Sequence, residues 1–273
     1  MRAFPAAWLF VPGDRPDRFV KAVASGAGAI ILDLEDAVAT DRKDEARVAV
    51  HDYLVARTAQ QSQVAVRMNA LSTVSGVADL VMLAGTRADY VILPKAECPQ
   101  ELALLGRVLA NGGSPAKVLA LVESARGVAR AVELADSTPA MAALMFGAAD
   151  YVGDLGRQVE NFRPDFARAT IVNAAASGGI AALDSPWFNV VDSEGLARDC
   201  RAAIDLGFHA KAAIHPAQVE AIAAVFAPSE EDLATARRYI AANVSGVRLI
   251  DGKMVDVAML TWAKRIVAAA GMA

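Results

Sequence analysis

Cysteine is scarce in this chain: there are two in 273 residues, Cys98 and Cys200, and neither sits in a CxxC or CxxH pattern. A disulfide framework is therefore not expected, and both read as small buried or half-buried side chains. Histidine is scarcer than its size predicts, with three. His51 falls mid-helix at a surface and His209 just before a strand, and no HExxH, GxSxG or GxxxxGK[ST] occurs. Positive charge is not in excess. The net charge of −4 gives no means of neutralising a phosphate backbone, so no nucleic-acid partner is expected, and an anionic ligand would need a local group of Arg and Lys. No run approaches the roughly 18 to 20 apolar residues of a membrane span, and the N-terminal MRAFPAAWLFVPGDRP carries no long apolar signal region. The expectation is no membrane partner and a cytoplasmic location.

What the chain does have is an alternation of short β-rich apolar runs with longer Ala-rich helical stretches. Strands are expected at Trp8–Val11, Ala29–Leu34, Val64–Met68, Tyr90–Leu93, Val118–Val122, Ala143–Phe146, Ile180–Leu183 and Ala210–Ile214. Helices are expected to begin near Asp14, Thr40, Val74, Pro99, Ala125, Pro164, Ser193 and Pro216. Eight alternating units point to a parallel sheet closed as a (β/α)8 TIM barrel. The rival, an open doubly wound sheet, usually carries a glycine-rich dinucleotide turn after its first strand, whereas here that strand ends Pro12-Gly13-Asp14. The barrel is assigned to residues 1–228. Residues 229–273 read as a C-terminal arm: a helix capped by Ser229, a hairpin around Asp251-Gly252, and a last helix from Val257.

In such a barrel the C-terminal strand ends build the active site. Here those ends are polar. Strand two ends Asp33-Leu34-Glu35-Asp36, strand three Arg67-Met68-Asn69, strand four Pro94-Lys95-Ala96-Glu97, strand five Glu123-Ser124 and strand seven Asp184-Ser185-Pro186. Strand six runs through Gly147-Ala148-Ala149 to Asp150, and strand eight holds Lys211 and ends at His215. Asp36, Asp41 or Asp150 could each be only a cap. Glu123 follows the apolar Val118–Val122, and an unpaired buried carboxylate is costly, so it must meet a cation or be heavily hydrogen-bonded. Glu123 and Asp150 end adjacent expected strands. Two such carboxylates without His or Cys neighbours are hard oxygen donors that suit Mg²⁺. His215 could cap a helix or touch substrate.

The segments LFVPGDRPDRFVKA, ILDLEDAV, VRMN, VILPKAE, LVESARG, MFGAADY, AKAAIHPAQV and DGKMVDVAML follow one another in this order. Each is weak alone. Together they resemble the citrate lyase beta-subunit family, which includes malyl-CoA and citramalyl-CoA lyases, over about Trp8 to Ala268. The resemblance implies a Mg²⁺-dependent β/α barrel, often trimeric, whose arm packs on a neighbouring subunit. It implies Glu123 and Asp150 as metal ligands and Arg67 directed at the reacting oxygens. Asp33, Glu35 and Asp36 would complete the metal's water shell or orient Arg67. Arg15, Arg18, Lys21 and Lys211 would hold the CoA end, and Asp256 would be the acid/base residue lent to the next subunit. Ala210 and Ser124 depart from the family's common Gly and Thr, changes that adjust a pocket rather than remove it.

The activity so implied is cleavage of a short 3-hydroxyacyl-CoA of citramalyl, malyl or citryl type to acetyl-CoA and a 2-oxo acid. A thioesterase, a 2-oxo acid aldolase acting without CoA, and a beta subunit dependent on an acyl-carrier partner remain as alternatives.

Overall fold

The structure, a computed structural model, describes residues 4–58, 62–159, 162–242 and 246–270. The chain divides into two compact units, one spanning Phe4–Ala223 and one beginning at Ala224, a little before the 228/229 division expected from the sequence.

In the first unit eight parallel strands close a barrel in chain order: β1 (Ala7–Pro12), β2 (Ala29–Asp33), β3 (Gln63–Arg67), β4 (Tyr90–Leu93), β5 (Lys117–Val122), β6 (Met141–Phe146), β7 (Ala181–Asp184) and β8 (Ala210–Ala213). The ring closes where β8 pairs with β1, Lys211 opposite Ala7. All eight expected strands are present within a residue or two. They are legible because each is a continuous apolar run, and a strand covered on both faces requires that. Large and small side chains interleave inside: Trp8, Ile31, Tyr90, Leu119, Met145 and Leu183 pack with Ala29, Ala65, Ala143, Ala210 and Ala212. Trp8 and Tyr90 lie with ring centroids 5.0 Å apart, and the buried Trp8 indole donates to the Pro5 carbonyl at 2.7 Å. These side chains fill the barrel interior, as in a packed core rather than a pore.

Helices cover the outside: α1 (Phe19–Ala24), α2 (Lys43–Ala56), α3 (Val74–Ala84), α4 (Pro99–Asn111), α5 (Ala125–Ala129), α6 (Ala131–Ala135), α7 (Ala148–Asp154), α8 (Asp165–Ser177), α9 (Ser193–Leu206) and α10 (Val219–Phe226). The starts expected near Asp14, Thr40 and Pro216 open as single 3₁₀ turns, at Pro16–Arg18, Thr40–Arg42 and Pro216–Gln218, before α1, α2 and α10. α2 buries Ala46, Val50 and Leu54, one side chain per turn on the sheet side. Caps fix the helix starts: Thr73 accepts from the Gly76 amide at 2.9 Å, and Asp192 accepts from the Gly195 amide at 2.8 Å. Such caps are each worth about 1 kcal/mol. The sequence reading lacked α7, which turns the end of β6 directly into a helix and places Asp150 in its first turn.

The second unit contains α11 (Glu230–Ala241), capped by Ser229, then β9 (Arg248–Ile250), β10 (Lys253–Val255) and α12 (Val257–Ala270). The hairpin turns through Asp251 and Gly252, both at positive φ (51° and 76°), the two-residue turn that an Asp-Gly pair favours. Ala236, Tyr239, Val255 and Ala263 form its small core. Among the described residues no helix is long and apolar enough to cross a membrane.

Candidate active site

A cleft of about 260 Å³ opens at the C-terminal ends of the strands. Asp33, Asp36, Arg67, Glu123 and Asp150 all line it, so strand ends distant in sequence meet as expected.

Its fixed point is the ion pair of Asp33 and Arg67. Asp33 ends β2 and is 1% exposed; Arg67 ends β3 in register with it. Arg67 Nε and Nη2 donate to the two Asp33 oxygens at 2.7 and 2.5 Å, a bidentate pair. The same oxygens accept the backbone amides of Glu35 at 2.9 Å and Ala37 at 3.2 Å. Four donors occupy the Asp33 carboxylate, two of them from Arg67, and this fixes the orientation of the guanidinium. Arg67 also lies 5.1 Å above the Phe10 ring, and its Nη1 is 3.0 Å from Glu35 Oε2. Burial opposes its charge, but Asp33, Glu35 and Glu123 outweigh that and push its pKa up.

Glu35 is buried too. Its Oε1 pairs with Lys95 Nζ at 3.1 Å, while Oε2, though close to Arg67, lies outside hydrogen-bonding geometry and has no partner of that kind. Burial raises the Glu35 pKa, with Asp36 adding to the rise and Arg67 and Lys95 opposing it. Lys43 Nζ ties this segment down through the carbonyls of Leu34 at 2.7 Å and Glu35 at 2.5 Å. Asp36 is largely exposed at the edge, 4.0 Å from Arg67.

Glu123 follows β5 and is 4% exposed. Burial pushes its carboxyl up to about 8, and the nearby charges of Glu35 and Asp150 act in the same direction. The backbone amide of Lys95 holds Oε1 at 2.7 Å, and to present it Lys95 adopts φ 51°, unusual for a residue with a side chain. On the other side lies Gly147. A Cβ there would stand 2.5 Å from Glu123 Cβ and 2.7 Å from Oε2, so only glycine leaves the carboxylate in place. Lys95 and Gly147 are functional positions that the sequence reading passed over. Lys95 holds Glu123 through its backbone amide, besides its side-chain pair with Glu35, and Gly147 acts through a missing side chain; neither the amide nor the missing Cβ can be read from residue type.

Among the described residues no three His, Cys, Asp or Glu side chains converge as a closed cage. Glu123 and Asp150 offer the cleft two carboxylates, a pair that could hold a hard divalent cation that keeps water in its shell.

Other expected site residues lie elsewhere. Lys211 is fully buried: its Nζ donates to Asp184 at 2.6 Å and to the Ser185 carbonyl at 2.7 Å and pairs with Asp199 at 2.5 Å. An ammonium committed to two carboxylates inside the barrel wall cannot reach a CoA phosphate, which corrects that assignment. His215 is exposed, and its Nδ1 accepts the Ala217 amide at 3.2 Å, so it caps the turn that opens at Pro216. Arg15 is bound to Asp17 by two hydrogen bonds of 2.9 Å, and Arg18 and Lys21 are exposed beside it. Asp256 belongs to the second unit, where its Oδ1 accepts the Met259 amide at 3.1 Å at the start of α12.

Residues 6–216 match the profile of the HpcH/HpaI aldolase/citrate lyase family. The chain belongs to this family. Over its full length it is 39% identical to the citrate lyase subunit beta-like protein of Mycobacterium tuberculosis, of which 98% is covered. It is 33% identical to the L-malyl-CoA/beta-methylmalyl-CoA lyase of Cereibacter sphaeroides, over 97% of this chain and 94% of that one. Among solved structures, CitE from Mycobacterium tuberculosis in complex with magnesium, acetoacetate and coenzyme A aligns with a TM-score of 0.81 at 39% identity, covering 99% of this chain and 100% of that one. In this member of the HpcH/HpaI aldolase/citrate lyase family, the charged cleft falls within the matched residues.

Proposed function

We propose that this chain is a magnesium-dependent lyase that cleaves the bond between the α-carbon of a CoA thioester and a hydroxyl-bearing carbon, releasing acetyl-CoA and a 2-oxo acid. One observation carries the reading. A buried carboxylate, Glu123, shares a cleft with Asp150 and with an arginine whose orientation Asp33 fixes. A magnesium-bound and CoA-bound relative and a malyl-CoA lyase relative support it.

Mg²⁺ held by Glu123 and Asp150 would supply a Lewis acid for the substrate hydroxyl. Arg67 keeps N–H groups that Asp33 does not occupy, and these would stabilise the enolate oxygen that develops on the thioester as the C–C bond breaks. Asp33 contributes by holding that guanidinium still, so little reorganisation is needed in the transition state. Asp256, supplied by a neighbouring subunit in a trimer, would carry the proton that the hydroxyl loses to the acetyl carbon, so that the proton released at one end of the broken bond is taken up at the other. Arg15, Arg18 and Lys21 would meet the CoA phosphates, with Arg15 first leaving Asp17. The setting is cytoplasmic.

The test is a coupled assay of the purified protein with Mg²⁺ on (S)-citramalyl-CoA and malyl-CoA, following 2-oxo acid and free thiol together. Oxo acid without thiol is the expected result. Thiol without oxo acid would make the protein a hydrolase, and neither product would remove the CoA-lyase reading.

A further inference from the structure

Two buried polar side chains grip the segment that follows β7. Lys211 Nζ holds the Ser185 carbonyl at 2.7 Å while bound to Asp184, which Arg168 also holds, at 3.2 Å from Nε and 2.7 Å from Nη2. Gln218, 2% exposed, donates from Nε2 to the Trp187 carbonyl at 2.8 Å. Its Oε1 accepts the amides of Ile214 at 3.0 Å and His215 at 3.3 Å. The Trp187 ring is seated against Gly195, where a Cβ would come within 2.6 Å of Cζ2. Residues 185 and 187 are thus anchored on either side of Pro186, and the same Gln218 fixes the backbone at Ile214.

These anchors bear on the cleft, because Pro186, Phe188 and Ile214 line it together with Glu123 and Asp150. Phe188 and Ile214 are each 39% exposed, large apolar side chains facing open space. The charged residues Asp33, Arg67, Glu123 and Asp150 lie on strand ends and α7, whereas the segments after β7 and β8 contribute only apolar lining. A substituent set against this wall, on a carbon whose oxygen is held near Glu123 and Asp150, meets no charged group there. An apolar wall accommodates a methyl group, gains little from hydrogen, and strips water from a carboxylate without pairing it. Because the wall is anchored by buried hydrogen bonds, it cannot give way without leaving the Ser185 or the Trp187 carbonyl without its donor.

We propose that Pro186, Phe188 and Ile214 form the wall that selects the substituent on the hydroxyl-bearing carbon, that this wall favours methyl, and that Lys211 and Gln218 are its positioning residues. The inference rests on the lyase reading above and names its substrate class: a thioester whose released 2-oxo acid is a methyl ketone.

The test uses the full chain with Mg²⁺ and three CoA thioesters that differ only in that substituent: hydrogen, methyl or carboxymethyl. The wild type should show kcat/KM for methyl about tenfold or more above hydrogen, with carboxymethyl below both. The methyl-to-hydrogen ratio should fall toward one in Phe188→Ala and Ile214→Ala. Gln218→Glu keeps the acceptor for Ile214 and His215 but loses the donor to Trp187, and it should lower the same ratio. A ratio unchanged in both wall variants, or a wild type that prefers carboxymethyl, overturns the proposal. If the wild type cleaves none of the three, the lyase reading has failed, and the wall is then judged by calorimetric binding of pyruvate, glyoxylate and oxaloacetate in the presence of Mg²⁺. Tighter pyruvate binding that Phe188→Ala abolishes supports the wall; equal binding of all three overturns it.

Discussion

Replacing Glu123 with glutamine should change how the protein's stability depends on pH more than it changes the stability itself. Burial beside Glu35 and Asp150 moves the Glu123 pKa from its ordinary 4.5 to about 8. Between those values the folded protein holds a proton that the unfolded chain has lost. The folded state binds more protons, so stability is fully present below about pH 4.5 and falls as pH rises toward 8. At roughly 1.4 kcal/mol per unit, the loss between pH 5 and pH 8 is on the order of 4 kcal/mol at most. Glu123→Gln keeps an oxygen for the Lys95 amide and carries no titratable proton, so this component should vanish and the variant should be the more stable protein at pH 8 without metal. Magnesium reverses the trend: binding it displaces the Glu123 proton, so affinity should climb up to tenfold per pH unit until about pH 8 and then level off. The assay is urea unfolding from pH 5 to 8.5, with and without Mg²⁺, on both proteins. The reasoning is refuted by a wild-type slope that survives unchanged in Glu123→Gln, or by a variant that binds Mg²⁺ as tightly as the wild type.

Three further outcomes follow from the geometry. Gly147→Ala forces a methyl to 2.5 Å from Glu123 Cβ, so it should cost about 1–3 kcal/mol of stability and weaken Mg²⁺ binding measurably by titration calorimetry. Lys211→Met leaves Asp184 and Asp199 without their ammonium and should destabilise the protein by about 3–5 kcal/mol; at a temperature where the variant is folded, the KM for CoA thioester should not reflect a lost phosphate contact. Asp256→Asn should collapse kcat with little change in substrate Kd, whereas a variant that loses affinity instead would make Asp256 a covering residue rather than a proton carrier.

The barrel was legible because its eight strands are apolar on both faces and are separated by helices of ordinary length. The clustering of Asp33, Arg67, Glu123 and Asp150 was legible because a barrel gathers its strand ends in one place. α7 was not, since Gly147-Ala148-Ala149 has no apolar period to set it apart from the end of β6. Lys211 was misread for a related reason. A lysine among the alanines of β8 shows no partner in its own run, because Asp184 and Asp199 come from β7 and α9. Ion pairs made across elements leave no mark in local sequence. Asp33 shows the same limit, because an acid at a strand end looks alike whether it faces a ligand or a neighbouring arginine.

The two groups of buried charge at this end of the barrel differ in their balance, and the difference separates support from chemistry. Around Lys211, two cations, Lys211 and Arg168, face two carboxylates, Asp184 and Asp199, and each ion finds partners at hydrogen-bonding or ion-pair distance. Such a group needs nothing further and serves to hold the segment after β7. Around Arg67 the carboxylates of Asp33, Glu35 and Glu123 are all buried, while Lys95 reaches in from a half-exposed position. Burial raises the pKa of both Glu35 and Glu123, and neighbouring carboxylates add to the rise, Asp36 for Glu35 and Glu35 with Asp150 for Glu123. A fold that only needed stability would have removed one of these acids or supplied another base. Retaining the imbalance makes sense where a divalent cation completes it, and it places the reacting oxygens of a substrate where that cation and Arg67 can both reach them.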